Sequence, residues 1–307
     1  MNELRFDGRT VVITGAGRGV GRSHALLFAA RGANVVVADL GGGLDGSGSS
    51  TDPADEVVKE IQAAGGVAIA CYASVAEEEG AASIIQAALD NFGAVDIVVN
   101  NAGIAAPLEW VEDLTLADYR RMVEVHYLGT VYVTKAAWPH MQAAGYGRIV
   151  NTTSEGALGM VPKNSSYGSA KGAVLGFTRT SALDGARFGI GVNAVAPRAQ
   201  TRMSTPDILA HTYDAPEEMF HGSMAVFDPD LVSPAAVFLA HESCALTGEV
   251  LISGGGQVMR LALLESQGIR YEHMTAELVA ENIDKVLDLT DAQVMTVGVL
   301  LSEEHTS

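Results

Sequence analysis

The chain has 307 residues, of which 48% are hydrophobic and 34 are glycine, enough for one large domain or two small ones. Its formal net charge of -18 argues against nucleic acid as a partner, because the phosphate backbone would repel it. The two cysteines, Cys71 and Cys244, fit a reducing compartment better than a disulfide scaffold. We see no apolar run of membrane-spanning length and no apolar stretch typical of a secretion signal, so we expect a cytoplasmic protein.

Short apolar segments rich in β-branched residues alternate with helical segments along the chain. The predicted strands are Thr10–Ile13, Asn34–Ala38, Val67–Cys71, Asp96–Asn100, Arg148–Thr152, Gly191–Ala196 and Glu249–Ser253. The predicted helices are Gly21–Arg31, Pro53–Ala64, Glu77–Asn91, Leu116–Ala144 with a break near Gly129 or Pro139, Ser166–Arg187 and Pro234–His241. This alternation predicts an α/β fold of Rossmann type, a doubly wound parallel sheet of about seven strands with helices on both faces.

No change in composition marks a second domain, so we predict a single domain over residues 1–256. Residues 257–307 are predicted to be a C-terminal helical extension that is not an independent domain, with a charged periodic helix at Thr275–Asp288. Gly41–Ser50 is predicted to be a flexible loop, because it consists mainly of glycine and serine.

The turn between the first strand and the first helix carries the strongest local signal. It reads Thr14-Gly15-Ala16-Gly17-Arg18-Gly19-Val20-Gly21. Glycines in such a turn let the backbone approach a pyrophosphate, whose charge is favoured at the helix N-terminus. The alternative is a glycine-rich turn that only packs. The strand before it and the helix after it favour a dinucleotide site.

Asp39 ends the second predicted strand, about where an acid binds the adenosine ribose of a dinucleotide. A carboxylate at this place would repel the 2′-phosphate of NADP. Arg18 is the counter-argument, because a cation in the turn can serve a phosphate. The balance favours NAD as the cofactor, with NADP as the alternative.

Asn100, Asn101, Ala102 and Gly103 follow the fourth strand, at the edge of the sheet where ligands bind in open parallel sheets. Asparagine at this place can contact the cofactor or can cap the strand and tie loop backbone together. The spacing alone leaves these two alternatives open.

Tyr167 and Lys171 are four residues apart, so they share one face of the predicted helix. A lysine ammonium near a phenol is expected to lower the phenol pKa from its ordinary value of about 10, which would suit proton exchange with an alcohol. Ser154 follows the fifth strand and could hydrogen-bond the reacting oxygen. Taken alone, a Tyr-x-x-x-Lys pair is ordinary helix surface, and it gains weight here from the predicted cofactor site.

Together these motifs resemble those of the short-chain dehydrogenases/reductases over residues 7–255. The similarity extends to the (3R)-hydroxyacyl-CoA dehydrogenase part of peroxisomal multifunctional enzyme type 2, through Arg5–Arg9, Asp39–Gly42, Ala137–Met141, Tyr146–Ile149 and His241–Cys244. The resemblance implies an NAD-dependent enzyme with a dinucleotide-binding catalytic domain. It implies that Tyr167 is the general acid/base, that Lys171 binds the nicotinamide ribose, and that Ser154 orients the substrate. The implied cofactor contacts are Gly15, Gly17, Arg18, Gly19, Val20, Gly21, Asp39, Ser74, Asn100, Ala102, Gly103, Tyr167, Lys171, Pro197 and Thr201.

Four positions depart from the pattern of that family. His126 stands where the family has an asparagine that supports a proton relay, and it could hold the relay water or be an ordinary helical histidine. Arg198 follows Pro197 in place of glycine, where it could face solvent or an acidic substrate group. Ala73 replaces an acid that often contacts adenine, and Ser74 is next to it. Glu155 follows Ser154 and is expected to turn into solvent rather than to select polar substrates.

The expected reaction interconverts a secondary alcohol and a ketone. The resemblance suggests a 3-hydroxyacyl-CoA or a CoA-linked sterol or fatty-acid intermediate, with Arg198, Arg202 and Lys163 as candidate cations for CoA. A free steroid or a simple secondary alcohol is the alternative substrate, and a non-catalytic NAD-binding regulator is the alternative from another class. We expect no metal site and, by analogy, a homodimer or homotetramer.

Overall fold

The computed structural model describes residues 3–220 and 226–297. The strands are β1 (Thr10–Thr14), β2 (Asn34–Ala38), β3 (Val67–Cys71), β4 (Ile97–Asn100), β5 (Gly147–Thr152), β6 (Ile190–Pro197), β7 (Val250–Gly254), β8 (Gln257–Leu261), β9 (Leu264–Glu265) and β10 (Gln293–Val294). The helices are α1 (Gly19–Ala30), α2 (Asp52–Ala63), α3 (Glu78–Phe92), α4 (Leu116–Met122), α5 (Gly129–Ala144), α6 (Ser165–Ala186), α7 (Pro206–Tyr213), α8 (Ser233–Ala240), α9 (Ala276–Glu281) and α10 (Ile283–Leu287).

One large sheet organises the fold, with the strand order β3-β2-β1-β4-β5-β6-β7-β8. Strands β1 to β7 are parallel, and β8 pairs antiparallel with β7. The seven parallel strands confirm the predicted doubly wound sheet. The predicted strand boundaries lie within one residue of those in the structure.

Successive residues of the central strands bury their side chains on opposite faces of the sheet. On β1, Val11 and Ile13 pack on one face with Phe28 of α1, while Val12 packs on the other with Met141 of α5. Because both faces are covered by helices, the strands are apolar throughout rather than alternating.

The direction of winding reverses between β1 and β4, which are neighbours in the sheet although β2 and β3 lie between them in sequence. Loops that leave the carboxyl ends of these two strands diverge to opposite sides of the sheet. A crevice forms at such a switch point, and the glycine-rich turn lies there.

The structure differs from the prediction at residue 257, where a strand rather than a helix begins. Gly255 and Gly256 have φ angles of +58° and +76°, which suit a two-residue hairpin turn, so β8 returns along β7 and extends the sheet. Two short helices, α9 and α10, occupy most of the predicted helix Thr275–Asp288, and β9 and β10 pair around them. The division of the chain at residue 256 stays a prediction.

The long predicted helix Leu116–Ala144 is helical throughout but changes its winding between α4 and α5. Val123–Leu128 forms a π-helical segment, a feature that often marks functional sites. The change comes just before Gly129, as predicted, whereas Pro139 lies inside α5 without ending it. The π-helical segment carries His126 and points it inward, where it is 2% exposed.

Candidate active site

A crevice of about 1740 Å³ opens at the carboxyl ends of β1 and β4 to β6. This volume exceeds that of an ordinary small-molecule pocket, so a dinucleotide and a substrate can share it. Most of the predicted site residues line it: Gly15, Arg18, Gly19, Val20, Gly21, Asp39, Ser74, Ala102, Gly103, His126, Ser154, Tyr167, Lys171, Pro197 and Thr201. Gly17 and Asn100 are the two predicted residues that do not line it.

Glycines of the glycine-rich turn stand where the surrounding backbone leaves no room for a side chain. A Cβ on Gly15 would lie 2.7 Å from the Cα of Ala102, and one on Gly21 would lie 2.1 Å from the Gly15 carbonyl oxygen. Asn101 holds the two sides of the switch point together, since its Nδ2 donates to the carbonyls of Thr14 and Gly15 at 3.0 and 3.1 Å. The turn is therefore packed closely against its neighbours, and Gly15, Gly19 and Gly21 line the crevice without side chains. This arrangement, which we call the glycine cradle, fits the pyrophosphate of a dinucleotide.

Asp39 is fixed by two backbone N–H groups. Its Oδ2 accepts from Gly17 and its Oδ1 from Gly41, each at 2.7 Å. Gly17 thus serves the site through this hydrogen bond rather than by lining the crevice. The carboxylate joins the glycine-rich turn to the loop after β2 and places a negative charge on the crevice wall.

Asn100 lies at the end of β4 but does not line the crevice. Its side chain is buried beneath the crevice, where Nδ2 donates to Thr134 Oγ1 at 3.0 Å and to Asn151 Oδ1 at 2.9 Å. The amide nitrogen therefore ties β4 to β5 and α5, while Oδ1 has no hydrogen-bond partner among the described residues. The cofactor contact of Asn100 stays a prediction. The side chains of the neighbouring residues Asn100 and Asn101 point in different directions. Asn100 points into the layer between sheet and helices, whereas Asn101 reaches the glycine-rich turn.

Arg18 and Arg202 approach each other at the mouth of the crevice. Both donate an Nη1 hydrogen bond to the Gly42 carbonyl, at 3.3 and 3.4 Å. Burial and the Arg18 charge lower the pKa of Arg202, while Asp39 raises it. Two guanidinium groups so close together favour an anion between them.

Ser154 and Tyr167 converge on one point of the crevice. Both groups lie beside Gly156, where a Cβ would lie 3.4 Å from Ser154 Oγ and 3.5 Å from the ring of Tyr167. Ser154 also caps the 3₁₀ helix Glu155–Leu158, where its Oγ accepts from the Gly156 N–H at 3.1 Å. The hydroxyl is therefore held in place facing the phenol.

Lys171 lies on the same face of α6 as Tyr167, as the spacing predicts. Its side chain is 3% exposed, and its Nζ donates to the Thr152 carbonyl at 2.6 Å and lies 5.7 Å from the centre of the Tyr167 ring. Burial lowers the pKa of Lys171 to about 7.

The expected lowering of the Tyr167 pKa by Lys171 is not what the structure shows. Burial raises the pKa of the phenol, and the Ser154 hydroxyl acts in the opposite direction. Helical spacing predicts that Lys171 lies near Tyr167, but it does not predict that both groups are buried away from water. For the Tyr167 pKa, the effect of burial is the largest. An additional positive charge in the crevice is needed to favour the phenolate.

His126 packs edge-on against Tyr167, with ring centres 5.2 Å apart. Its Nε2 lies 2.8 Å from the Ile104 carbonyl oxygen and 3.1 Å from the Ile104 N–H, whereas Nδ1 has no hydrogen-bond partner among the described residues. Burial, and then the charge of Lys171, lower the His126 pKa to about 3. The ring is neutral at physiological pH, and its orphaned Nδ1 fits the hydrogen bond of a relay water.

Glu155 and Arg198 pair with each other, which corrects both expectations for these positions. Arg198 Nε and Nη2 donate to the two Glu155 carboxylate oxygens at 2.7 and 2.6 Å. Lys163 also has partners within the protein, because its Nζ donates to the His211 carbonyl at 3.0 Å and forms an ion pair with Asp214. Of the three cations suggested for CoA, Arg202 alone lacks an ion pair among the described residues.

The end of the crevice beyond Tyr167 is the part that sequence reasoning missed. Helix α7 covers it, and its lining is mainly apolar: Pro107, Leu108, Trp110, Val161, Met203 and Ile208. The sequence did carry a signal for α7, since Thr205-Pro206-Asp207 is typical of a helix start. An apolar chain or ring system suits this end.

A sequence profile described as short chain dehydrogenase matches residues 9–207, about two thirds of the chain. The chain belongs to this family. It is 42% identical over 287 residues to a short-chain type dehydrogenase/reductase of Mycobacterium tuberculosis, covering 93% of this chain and 96% of that protein. It is 39% identical over 293 residues to the peroxisomal multifunctional enzyme type 2 of Mus musculus, covering 94% of this chain but only 38% of the mouse protein.

A solved 7α-hydroxysteroid dehydrogenase, complexed with NADH and 7-oxo glycochenodeoxycholic acid, has the same fold with a TM-score of 0.72. It is 32% identical, and the match covers 83% of this chain and 98% of that one. These similarities confirm the resemblance drawn from the motifs and identify the chain as an oxidoreductase family member. Among the described residues, no helix is long and apolar enough to cross a membrane, and no cluster of His, Cys, Asp or Glu could hold a metal ion.

Proposed function

We propose that the chain is an NAD-dependent oxidoreductase that interconverts a secondary alcohol and a ketone. The observation that carries the proposal is one crevice with two chemically distinct ends. At one end lie the glycine cradle and Asp39, and at the other Ser154 and Tyr167 converge above the buried Lys171. This arrangement suits a dinucleotide laid along the switch point with its reactive ring beside the phenol.

Tyr167 is the proposed general acid/base. As the phenolate it takes the hydroxyl proton of the alcohol, and as the phenol it returns a proton to the ketone oxygen. Ser154 holds that oxygen by a hydrogen bond, and Lys171 supplies a positive charge on the inner side. His126, neutral and with an orphaned Nδ1, is placed to hold a water that exchanges protons with the site.

NAD is the proposed cofactor, with Asp39 at its adenosine ribose and the glycine cradle at its pyrophosphate. NAD⁺ bound there supplies the hydride acceptor and a positive ring charge that lowers the pKa of the Tyr167 phenol. The NADH complex of the 7α-hydroxysteroid dehydrogenase supports this choice over NADP. Ser74, Ala102, Gly103, Pro197 and Thr201 line the same wall and are proposed contacts.

The proposed substrate is a 3-hydroxyacyl thioester of CoA or a CoA-linked sterol or fatty-acid intermediate. The similarity to multifunctional enzyme type 2 supports it, and the apolar far end suits an acyl chain. Arg202 stands at the mouth as a cation for the CoA phosphates.

A free steroid or a simple secondary alcohol is the second candidate. The steroid-bound structural neighbour favours it, since the apolar end around Trp110 would also accept rings. A non-catalytic NAD-binding regulator is the third candidate, and the presence of Ser154, Tyr167 and Lys171 together in the crevice argues against it.

The test is a screen for NADH production with 3-hydroxyacyl-CoA esters of graded chain length, beside steroid alcohols and short secondary alcohols. Turnover of the thioesters supports the first substrate class. Turnover of free alcohols with none of the thioesters contradicts it and supports the second. NADH formation from no member of the panel contradicts the enzymatic proposal. The expected homodimer or homotetramer and the cytoplasmic location stay predictions.

A further inference from the structure

The ion pair between Glu155 and Arg198 is unlike the surface ion pairs of this protein, because it joins two loops of the active site. Each residue directly follows a residue that lines the crevice: Glu155 follows Ser154, and Arg198 follows Pro197. Neither Glu155 nor Arg198 lines the crevice itself. The pair therefore stands beside the lining of the crevice and is not part of it.

The geometry of the pair is that of a rigid fork. Two parallel hydrogen bonds of 2.7 and 2.6 Å join the guanidinium to the carboxylate, and the two side chains are only 37% and 20% exposed. Bidentate pairs of this kind fix orientation as well as distance. The hydrogen bonds from Arg198 also hold the pKa of Glu155 below its usual range, so the pair is ionised at neutral pH.

Both ends of the fork are anchored to the scaffold. Arg198 N–H donates to the Ser253 carbonyl on β7 at 2.8 Å, and its own carbonyl lies so close to Gly254 that a Cβ there would approach it to 1.9 Å. Glu155 begins the 3₁₀ helix that Ser154 caps, so a bond to its carboxylate restrains the turn that orients the Ser154 hydroxyl. The fork thus links the turn that holds Ser154 to the carboxyl end of β6 and to β7.

We infer that Glu155 and Arg198 are positioning residues, which set the Ser154 hydroxyl against the loop Pro197–Thr201. This inference rests on the proposed function, because it assigns Ser154 to the reacting oxygen and that loop to the nicotinamide end of the cofactor. Glu155 and Arg198 are 43 residues apart in sequence, and both positions depart from the family pattern. Both facts agree with two residues that act as a pair. Loss of the fork frees the Ser154 turn without removing a group that contacts the ligands.

The experiment compares Glu155→Gln with the matched control Glu249→Gln in the full chain. Glu249 forms the same bidentate fork with Arg260, at 2.8 and 2.7 Å, on the hairpin of β7 and β8 outside the crevice. We expect Glu155→Gln to lower kcat by about ten- to a hundredfold through misplacement of the reacting groups, with Kd for NADH within about threefold of wild type. Glu249→Gln is expected to leave kcat unchanged.

Two further readouts separate positioning from a general loss of structure. A substrate deuterated at the carbinol carbon should show a larger isotope effect on kcat in Glu155→Gln, since the chemical step becomes slower. Arg198→Lys, which keeps the charge but not the fork, should lower kcat by less than Arg198→Met. In the double variant Glu155→Gln/Arg198→Met, the effects should be non-additive, because either change alone breaks the same fork.

An active wild-type protein whose Glu155→Gln variant keeps its kcat overturns the inference and leaves the proposed function intact. Equal losses in Glu155→Gln and Glu249→Gln, with no change in isotope effect, also overturn it. A wild-type protein inactive on the whole panel contradicts the proposed function, and the positioning role falls with it.

Discussion

Asp39→Asn tests the origin of the proposed preference for NAD over NADP. The Asp39 carboxylate accepts N–H groups from Gly17 and Gly41 and so cannot turn away from the crevice wall. A 2′-phosphate near it would bring about two negative charges, and at roughly 6 Å with an effective dielectric constant of about 40 the repulsion is roughly 3 kcal/mol. That energy corresponds to about a hundredfold weaker Kd for NADPH than for NADH.

The assay is a fluorescence titration with NADH and with NADPH, which needs no substrate. The ratio of the two Kd values is the informative quantity, because any damage to the glycine-rich turn weakens both ligands together. We expect the ratio to fall from about a hundred to within roughly tenfold of unity in Asp39→Asn, since Arg18 and Arg202 then face the phosphate unopposed. Asp45→Asn is the control, an acid on the same wall whose Oδ1 is held by Ser47. A wild type that binds NADPH as tightly as NADH, or an unchanged ratio in Asp39→Asn, refutes the reasoning.

Two more outcomes follow from buried groups. His24 is fully buried with its pKa lowered to about 4, so the unfolded chain binds more protons between pH 4 and 6.5 and stability falls as the pH drops through that window. The free energy of unfolding in urea should fall between pH 7.5 and 5 by roughly 2 kcal/mol less in His24→Gln than in wild type. An equal fall in both proteins contradicts this. Lys163→Met removes the bonds to His211 and Asp214 that hold α7 over the far end of the crevice, so KM for the substrate should rise roughly tenfold with Kd for NADH unchanged. The control is Lys135→Met, which breaks an exposed ion pair with Glu78. An equal KM in both variants contradicts the role of Lys163 in holding α7.

The sheet and the cofactor end of the crevice were predictable from the sequence, because their signals are local. Apolar β-branched runs determine the strands, and the glycine-rich turn lies between β1 and α1 as its spacing requires. The spacing of Tyr167 and Lys171 likewise places them on one face of α6. Each of these features depends on residues close together in the chain.

The features that were not predicted depend on contacts between distant residues. Spacing could not show that the Asn100 amide nitrogen bonds Thr134 and Asn151, or that Glu155 meets Arg198 rather than solvent. The pKa of Tyr167 depends on burial by the whole fold, which a four-residue spacing does not report. The hairpin into β8 has a local signal in the glycines that precede residue 257, and the prediction of a helical extension from that residue is wrong there.

The central claim is that the Tyr167 phenol carries the proton in an NAD-dependent oxidation. Tyr167→Phe keeps the ring, its packing against His126 and the room for the cofactor, and removes only the hydroxyl. The most direct measurement is kcat of this variant on the substrate found by the screen, together with its Kd for NADH. We predict a fall in kcat of about a thousandfold or more with Kd within about threefold of wild type, whereas a kcat within about tenfold of wild type would contradict the account.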